Sequence, residues 1–316
     1  MGYPIDATLA AGDYGTGLSG NYIPEIWSGK LLEKFYTATV FTAISNTDYE
    51  GEISSQGDKV IIRTVPAITI SEYKVGMTLN YERPKGDTVE LLIDKGKYFG
   101  FVINDVEKKQ ADVAYVDKWA EDASEQMKIN IDRGILADIP ADSHADNAGA
   151  ASGKISGSVE LGAAAADGSA AIALAKTTII DKVVECGLVL DEQDVPETGR
   201  WMVLPSWACT RIKLSELKDA SLTGDGKSTL RNGRTGMIDR FEIFNSNNII
   251  PVTEGSVKCY NSIFGHKSAL TFASQLTENE LIPNPNDFGK LMRGLQVYGY
   301  EVIHPESMGT LYCKAA

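Results

Sequence analysis

The feature that most constrains the fold is a β-patterned region, residues 59–103, with a mixed polar and apolar centre. Apolar residues lead up to residue 70 and resume at residue 89, whereas residues 71–87 mix charged and apolar side chains. The pattern predicts a long two-stranded ribbon. Two strands alone bury too little apolar surface to be stable, so the ribbon must lie on something else. It either folds onto its own domain or packs as an arm on a neighbouring subunit, and the candidate inter-subunit contacts in it are Tyr73, Met77, Leu79 and Tyr81.

The first 20 residues of the chain are also not expected to fold on their own. Residues 1–20 are rich in Gly, Ala and Thr and show no amphipathic period, which is typical of an extended arm that a partner must hold in place. A short helix is predicted after Pro24, because proline suits the first helical turn and apolar residues then recur at helical spacing. Trp27 lies on this apolar stripe and is a further candidate contact between subunits.

The clearest helix is predicted over residues 105–135. Apolar residues from Val113 to Ile131 step by threes and fours, while charged residues occupy the other faces. At about 1.5 Å per residue the helix would run about 35–45 Å, long enough to serve as a structural spine.

A stretch with few large side chains follows this helix. Residues 141–176 are rich in Ala, Gly and Ser and have almost no large side chains, so we expect a linker or surface insertion that supplies little core. From residue 177 onward, predicted helices and strands alternate, including a strand over residues 200–204 and a last strand over residues 295–303. The sequence after that strand is interpreted as a tail that ends with Leu311 and Tyr312.

Charge and composition narrow the classes of protein. The net charge of −13 argues against sequence-independent binding of nucleic acid, which needs clustered Lys and Arg, but it does not argue against a container for nucleic acid. No stretch approaches about 20 uninterrupted apolar residues, so no membrane span is expected. The four cysteines are far apart in the sequence and form no CxxC motif, which favours buried or free thiols over a disulfide framework or a metal site.

The motifs that invite a catalytic interpretation are weak. Gly226-Lys227-Ser228 resembles the end of a phosphate-binding loop, but Ser221 occupies the position of the required small turn residue, and the preceding segment is predicted to be helical. His144 lies among acidic residues in the predicted linker, where ligands are poorly preorganised, and His266 and His304 are interpreted as surface or locally satisfied residues. We therefore expect no enzyme, no cofactor and no metal site.

Several stretches, taken in order, resemble the major capsid proteins of tailed bacteriophages of the Hong Kong 97 type. The similarity lies in element order and spacing and covers about four-fifths of the chain. The stretches are residues 94–110, residues 190–196 followed by 199–205, residues 236–244, residues 264–273, and residues 294–302 with the closing Leu311-Tyr312.

The resemblance implies an α+β fold with four parts. These are an N-terminal arm over residues 1–31, an extended β-hairpin loop over 57–96, a peripheral domain with a long spine helix, and an axial domain over 177–283. The linker or insertion over 141–176 departs from the family, because it is longer than the family needs. The peripheral domain is expected to combine residues 32–56, 97–140 and 284–316.

The resemblance also implies a function. The chain would be a structural subunit that self-assembles into pentamers and hexamers of an icosahedral phage head, which encloses packaged double-stranded DNA. It would be assembled in the host bacterial cytoplasm and reside in the virion. The implied partners are further copies of the chain, a portal, a decoration protein and a scaffolding protein. Since no fused scaffolding segment precedes the arm, we expect either a separate scaffolding protein or processing already represented in this chain.

Other interpretations stay open at this point. The nearest is an encapsulin-like shell, which has the same fold but encloses a cargo enzyme. A nucleotide-binding enzyme that uses Lys227 is more remote, and another phage part, such as a tail tube or decoration protein, is a third. Some relatives join their loops by a Lys–Asn isopeptide bond, for which Lys74 or Lys85 would be the lysine, but no feature identifies an asparagine partner.

Overall fold

A computed structural model describes residues 39–47, 59–66, 68–86, 88–104, 115–215, 236–285 and 289–316. In this part of the chain the helices are α1 (Phe41–Ile44), α2 (Tyr115–Asp138), α3 (Ile179–Glu192) and α4 (Ser206–Lys213). The strands are β1 (Lys59–Arg63), β2 (Thr88–Leu92), β3 (Lys95–Asn104), β4 (Ile172–Leu174), β5 (Arg200–Leu204), β6 (Met237–Ile238), β7 (Phe241–Asn245), β8 (Val252–Glu254), β9 (Val257–His266), β10 (Leu270–Pro283), β11 (Gly289–Val302) and β12 (Met308–Ala315). The predicted α+β class is confirmed.

The largest sheet has seven strands in the order β4-β12-β9-β5-β7-β6, with β8 paired to β9. β5 lies near its centre, and all five of its residues are buried, which is why the sequence there is almost entirely apolar. α3 and α4 contribute to the core on one side of this sheet through residues such as Val183, Cys186 and Ile212. All four cysteines are buried free thiols, as predicted. Burial raises the pKa of the Cys313 thiol to about 12.

A second sheet, in the order β10-β11-β3, is built on one long hairpin. β10 and β11 pair from Leu270↔Val302 to Pro283↔Lys290, and the register shifts between Ser274 and Leu276. An irregularity of this kind bends the strand and increases its twist. The near end of the hairpin shares a core with the large sheet and with the end of α2, in which Ile135, Trp201 and Phe272 are all buried.

The long helix is present as α2, 24 residues from Tyr115 to Asp138. At about 1.5 Å per residue it is about 36 Å long. Residues 105–114, where its start is predicted, lie outside the described residues. Its C-terminal half buries Ile131, Ile135 and Leu136, so the apolar stripe that was predicted as far as Ile131 continues by about one turn.

The prediction that residues 141–176 form a linker with little core is wrong. Leu161 and Leu174 are fully buried in the core beneath the large sheet, and β4 pairs in parallel with β12 at the edge of that sheet. The segment packs through its small residues: at Gly162 an added Cβ would collide with the carbonyl oxygen of Tyr312. Low side-chain volume in this stretch therefore reflects close backbone packing, not a lack of structure.

The prediction of a tail after residue 303 is also wrong. Met308–Ala315 forms β12, which lies inside the large sheet between β9 and β4. The first six of its eight residues are buried. Strand pairing therefore crosses the predicted boundary at residue 284: β12 joins the sheet of β5 and β9, whereas β10 joins β11 and β3.

Candidate functional site: an exposed loop on an anchored base

The predicted ribbon begins as a short paired base. β1 and β2 are antiparallel, from Lys59↔Leu92 to Arg63↔Thr88. Leu91 is fully buried, and Ile62 packs beside it against Ala273 of β10. Gly299 of β11 lets the backbone of β2 come close, because a Cβ there would collide with the carbonyl oxygen of Leu92. The base is thus fixed to the body of the molecule.

Beyond the base the chain continues as an exposed loop, residues 64–86, whose two legs remain close together. A Cβ on Gly86 would lie 2.5 Å from the carbonyl oxygen of Thr64. Further out, the backbone N–H of Thr69 donates to Oε1 of Glu82 at 2.6 Å. An acidic side chain of one leg therefore binds the backbone of the other.

The end of the exposed loop is a tight turn. The backbone N–H of Met77 donates to the carbonyl oxygen of Lys74 at 3.1 Å. Gly76, with φ of +90°, stands in the third position of the turn, where a type II turn requires positive φ. Glycine adopts this conformation at no steric cost, so the turn follows directly from the sequence.

The exposed loop carries large apolar side chains that the rest of the described chain does not cover. Every described residue from 68 to 86 is exposed, and Ile70 and Val75 are 95% and 94% exposed. Contiguous exposed apolar surface of this kind marks an interaction site. The exposed apolar residues are Val65, Ile68, Ile70, Tyr73, Val75, Met77, Leu79 and Tyr81. They include all the candidate contacts predicted in the ribbon, whereas Trp27 lies outside the described residues.

The exposed loop differs in charge from the rest of the molecule. Lys74, Arg83 and Lys85 contribute three positive charges, and Glu72 and Glu82 contribute two negative ones, which gives +1. Since the whole chain carries −13, the remainder carries −14. The loop is therefore electrostatically suited to an acidic surface such as that of another copy of the chain.

An open cleft of about 500 Å³ lies between α2 and β3. Phe99, Phe101 and Trp119 are among the residues that line it. The rings of Phe101 and Trp119 meet edge to face, with centroids 5.9 Å apart. Trp119 is 44% exposed, so the cleft combines an aromatic wall with access from outside.

Asp132 forms a buried junction that sequence reasoning missed. Its Oδ1 accepts the backbone N–H groups of Val40 and Phe41 at 3.0 and 2.9 Å, and its Oδ2 accepts Nδ2 of Asn248 at 2.6 Å. The side chain is fully buried. One carboxylate thus joins the start of α1, the long helix and the loop after β7.

Arg200 forms a buried hydrogen-bond network at the start of β5. Its buried guanidinium donates to the carbonyl oxygens of Val195 and Pro196 at 2.6 and 2.9 Å and to Oδ1 of Asp191 at 2.7 Å. Burial raises the pKa of Asp191, but hydrogen bonds from Arg240 and Arg200 outweigh it and hold that pKa below its ordinary value. The arrangement fixes the turn between α3 and β5 and is structural.

Among the described residues, those considered for chemistry do not converge. The Gly-rich segment with Ser221 and Lys227 lies outside the described residues. His266 is locally satisfied, as predicted, since its ring nitrogens pair with Oγ of Ser268 at 2.7 Å and the carbonyl oxygen of Thr198 at 2.9 Å. His144 accepts the backbone N–H of Asp146 in a short 3-10 turn. In the part of the chain that the structure describes, no group of three or more His, Cys, Asp or Glu is placed to hold a metal ion, and no helix is long and apolar enough to span a membrane.

Comparison with known proteins gives a consistent answer at the level of structure. No family model and no curated protein matches the chain. A solved structure from Mycobacterium phage Che8 is 27% identical, with a TM-score of 0.73, over 92% of this chain and 97% of that one. The capsid structure of the cyanophage P-SCSP1u is 15% identical, with a TM-score of 0.73, over 96% of both chains. The mature capsid of bacteriophage PhiM1 is 17% identical, with a TM-score of 0.66, over 100% of this chain and 99% of that one.

The chain has the phage-capsid fold. The resemblance inferred from the sequence is confirmed, because the match extends over nearly the full length of both chains and so includes both sheets, α2 and the exposed loop.

Proposed function

We propose that this chain is the structural subunit of a tailed-phage head, a non-enzymatic component of the virion that assembles with copies of itself into pentamers and hexamers of a closed shell. The observation that carries the proposal is the capsid fold together with the exposed loop, residues 64–86, on an anchored base. An apolar loop of this kind has no use in a solitary subunit, and in a shell each copy covers the loop of its neighbour.

The parts of the subunit then take the roles that the sequence suggested. Residues 57–96 act as the extended loop, residues 1–31 as the arm, and α2 as the spine of a peripheral domain. The large sheet forms the axial domain, with residues 141–176 included in it. Each contact between subunits is weak, but a subunit held on several sides gains effective concentration at every further contact. Head-to-tail contacts that close by rotation produce rings and shells.

The charge of the subunit suits a container better than a binder of DNA. With a net charge of −13, the shell does not hold phosphate by attraction, so double-stranded DNA must be driven into it by a separate packaging machine. A portal to admit that DNA, a scaffolding protein to set the shell curvature, and a decoration protein are the other partners of this proposal.

The proposal is tested by expressing the chain alone and with a scaffolding partner, and examining the products by electron microscopy and sedimentation. We expect closed shells. A variant with Tyr73→Ser, Met77→Ser and Leu79→Ser should keep its melting temperature, because exposed substitutions change stability by only about 0.5 kcal/mol each, yet remain unassembled.

A matched control carries Ile155→Ser, Met237→Ser and Ile250→Ser, which are also exposed apolar residues but lie outside the loop. This control should assemble normally. Open tubes, or a wild-type subunit that stays monomeric under all conditions, would overturn the proposal, and shells that contain a cargo protein in place of DNA would support an encapsulin-like role.

A further inference from the structure

The two halves of α2 differ in how well the rest of the chain covers them. The C-terminal half is buried at Ile131, Ile135 and Leu136. In the N-terminal half, where burial is described from residue 118 to residue 130, no residue is buried. Helices in proteins are stabilised mostly by the surface on which an apolar face packs. The N-terminal half of α2 therefore lacks the covering surface that its C-terminal half has.

The uncovered half of α2 forms one side of the open cleft beside β3. The residues of α2 that line the cleft recur at spacings of three and four, so they share one face of the helix. They are Trp119, Asp122, Ala123, Gln126, Met127 and Asn130. This face is about 16 Å long, at about 1.5 Å per residue. Phe99 and Phe101 line the side of the cleft that β3 forms, and their stacked rings have centroids 6.3 Å apart.

Residues 1–38, which lie outside the described residues, join the body at one end of this cleft. Val40 and Phe41 donate their backbone N–H groups to Oδ1 of Asp132, at 3.0 and 2.9 Å. Asp132 follows Asn130 by two residues, which is about 3 Å of helix rise beyond the last cleft residue of α2. The segment before Val40 can therefore reach the cleft without a long connection.

The sequence of that segment fits the cleft in length and in charge. Apolar residues recur at every fourth position, which predicts a helix with one apolar stripe: Ile23, Trp27, Leu31 and Phe35. As a helix this stripe is about 18 Å long, close to the length of the cleft. At about 3.6 residues per turn, Lys30 and Lys34 lie beside the stripe, where they are complementary to Asp122. Glu25 and Glu33 lie on the opposite side of the predicted helix.

We propose that residues 23–35 form a helix that docks in the open cleft of its own subunit, with the apolar stripe against the aromatic residues of the cleft. The five-residue step from Phe35 to Val40 spans at most about 18 Å, which is enough to turn the chain back along α2. Because Phe35 must lie near Asp132, the docked helix runs antiparallel to α2. Trp27 then contacts its own subunit, and only the residues before the docked helix are left to reach a neighbouring copy.

Disulfide trapping in the unassembled full chain tests this placement. Leu31→Cys is combined in turn with Ala123→Cys, Gln126→Cys and Asn130→Cys, and the four native cysteines are all buried. A disulfide requires Cα atoms about 4.4–6.8 Å apart, so we expect at least one pair to form an intramolecular bond under mild oxidation. Leu32→Cys, on a different face of the predicted helix, is the matched control and should cross-link several-fold less with the same three partners.

Non-reducing electrophoresis and peptide mapping distinguish the possible occupants of the cleft. An intramolecular cross-link from position 31 in the monomer supports the proposal. Cross-links that join two chains would show that a second copy supplies the segment, and equal cross-linking from positions 31 and 32 would show that no fixed face of the segment meets the cleft. Either result overturns the proposal, as does the absence of a cross-link in all three pairs.

Fluorescence quenching gives a second measurement that needs no new covalent bond. In a Trp27→Phe background, a docked helix shields Trp119, which the described residues leave 44% exposed. Leu31→Ser should therefore increase the quenching of Trp119 by acrylamide several-fold, whereas Leu32→Ser should not. Quenching that is equal in the two variants contradicts docking. Because both measurements use the unassembled chain, the result does not depend on whether the chain forms shells.

Discussion

Asp132 shows how much of the architecture a single residue holds. The other acidic residues whose burial is described on this helix are exposed or partly exposed, whereas Asp132 is buried and binds two backbone N–H groups and one side-chain amide. Burial without partners would be costly for a carboxylate, and the three donors offset that cost. The junction fixes the chain just before α1, which is the point where any arm formed by the preceding residues would join the body.

Replacing Asp132 by Ala should lower the free energy of unfolding by about 3 kcal/mol or more, since three buried donors lose their acceptor. The exchange Asp132→Asn with Asn248→Asp restores an acceptor for Val40 and Phe41 and a donor for the new carboxylate. Denaturant titration of the unassembled subunit should show that the exchange recovers most of the loss. A double variant as unstable as the sum of its single changes would contradict the network.

The same residue gives a pH dependence with a definite sign. Burial raises the pKa of Asp132 above its ordinary value, against the lowering effects of the bonds from Asn248, Val40 and Phe41. A raised pKa means that the folded state holds the proton to higher pH than the unfolded chain. The stabilisation linked to this proton is fully present below the unfolded value, near 3.8, and is lost as pH rises through the folded value.

Unfolding free energies of the wild type and of Asp132→Asn should therefore be compared between neutral pH and about pH 4. We expect the difference, wild type minus variant, to become more favourable to the wild type as the pH falls. If the difference in unfolding free energy shifts toward the variant as the pH falls, the hydrogen bonds lower the pKa of Asp132 more than burial raises it.

At the scale of elements, the structure differs most from the sequence prediction in the segment over residues 141–176. This stretch, which has few large side chains, supplies an edge strand to the large sheet and two fully buried leucines to the core that this sheet shares with α3 and α4. Its glycines permit a backbone approach that larger residues would block, as Gly162 shows against Tyr312. The packing of the large sheet depends on this segment.

Leu161→Ala should therefore destabilise the subunit by about 2–5 kcal/mol, the range for a leucine truncated in a packed core. Ile155→Ala, six residues earlier and 81% exposed, is the matched control and should change stability by less than about 0.5 kcal/mol. Thermal melting of the unassembled chains checks both. Equal effects would restore the linker interpretation.

The elements that could be predicted are those whose own residues determine them. β5 has the predicted bounds, residues 200–204, because a continuous apolar run between turn signals permits little else. The exposed loop could be predicted because no neighbouring segment of the sequence offers an apolar surface that would cover its apolar residues. β12 could not be predicted from its own residues. Its Gly309 is required because Phe264 and the backbone of Asn147 lie against it, and such long-range contacts leave no local pattern. Asp132 was missed for the same reason, since an acidic residue on an amphipathic helix is normally solvated.

At the scale of the whole molecule, the exposed loop has a net charge opposite in sign to that of the rest of the chain. The loop carries +1 on a chain of −13. Complementary charge of this kind raises the rate of encounter more than the final affinity, and salt screens it. Assembly of this subunit should therefore depend on ionic strength in its early phase.

A variant with Arg83→Glu and Lys85→Glu changes the loop from +1 to −3 and should slow assembly several-fold at low salt, as followed by light scattering. The deficit should shrink as ionic strength approaches about 1 M, where the screening length is about 3 Å. Lys154→Glu with Lys258→Glu alters two exposed lysines of the body by the same total charge and should have a smaller effect. If both double variants slow assembly equally, net charge and not loop charge controls the rate.

The long β10–β11 hairpin meets the large sheet at two neighbouring places. Three residues separate the end of β9 from β10, and five separate β11 from β12, while β9 and β12 are themselves paired. A force applied to the far end of the hairpin is thus delivered at once to two neighbouring strands of the large sheet, β9 and β12, through two short connections. When internal pressure stretches a filled shell made of such subunits, the load on each subunit is shared between its two sheets. Because neither connection forms a free hinge, the subunit bends as a whole.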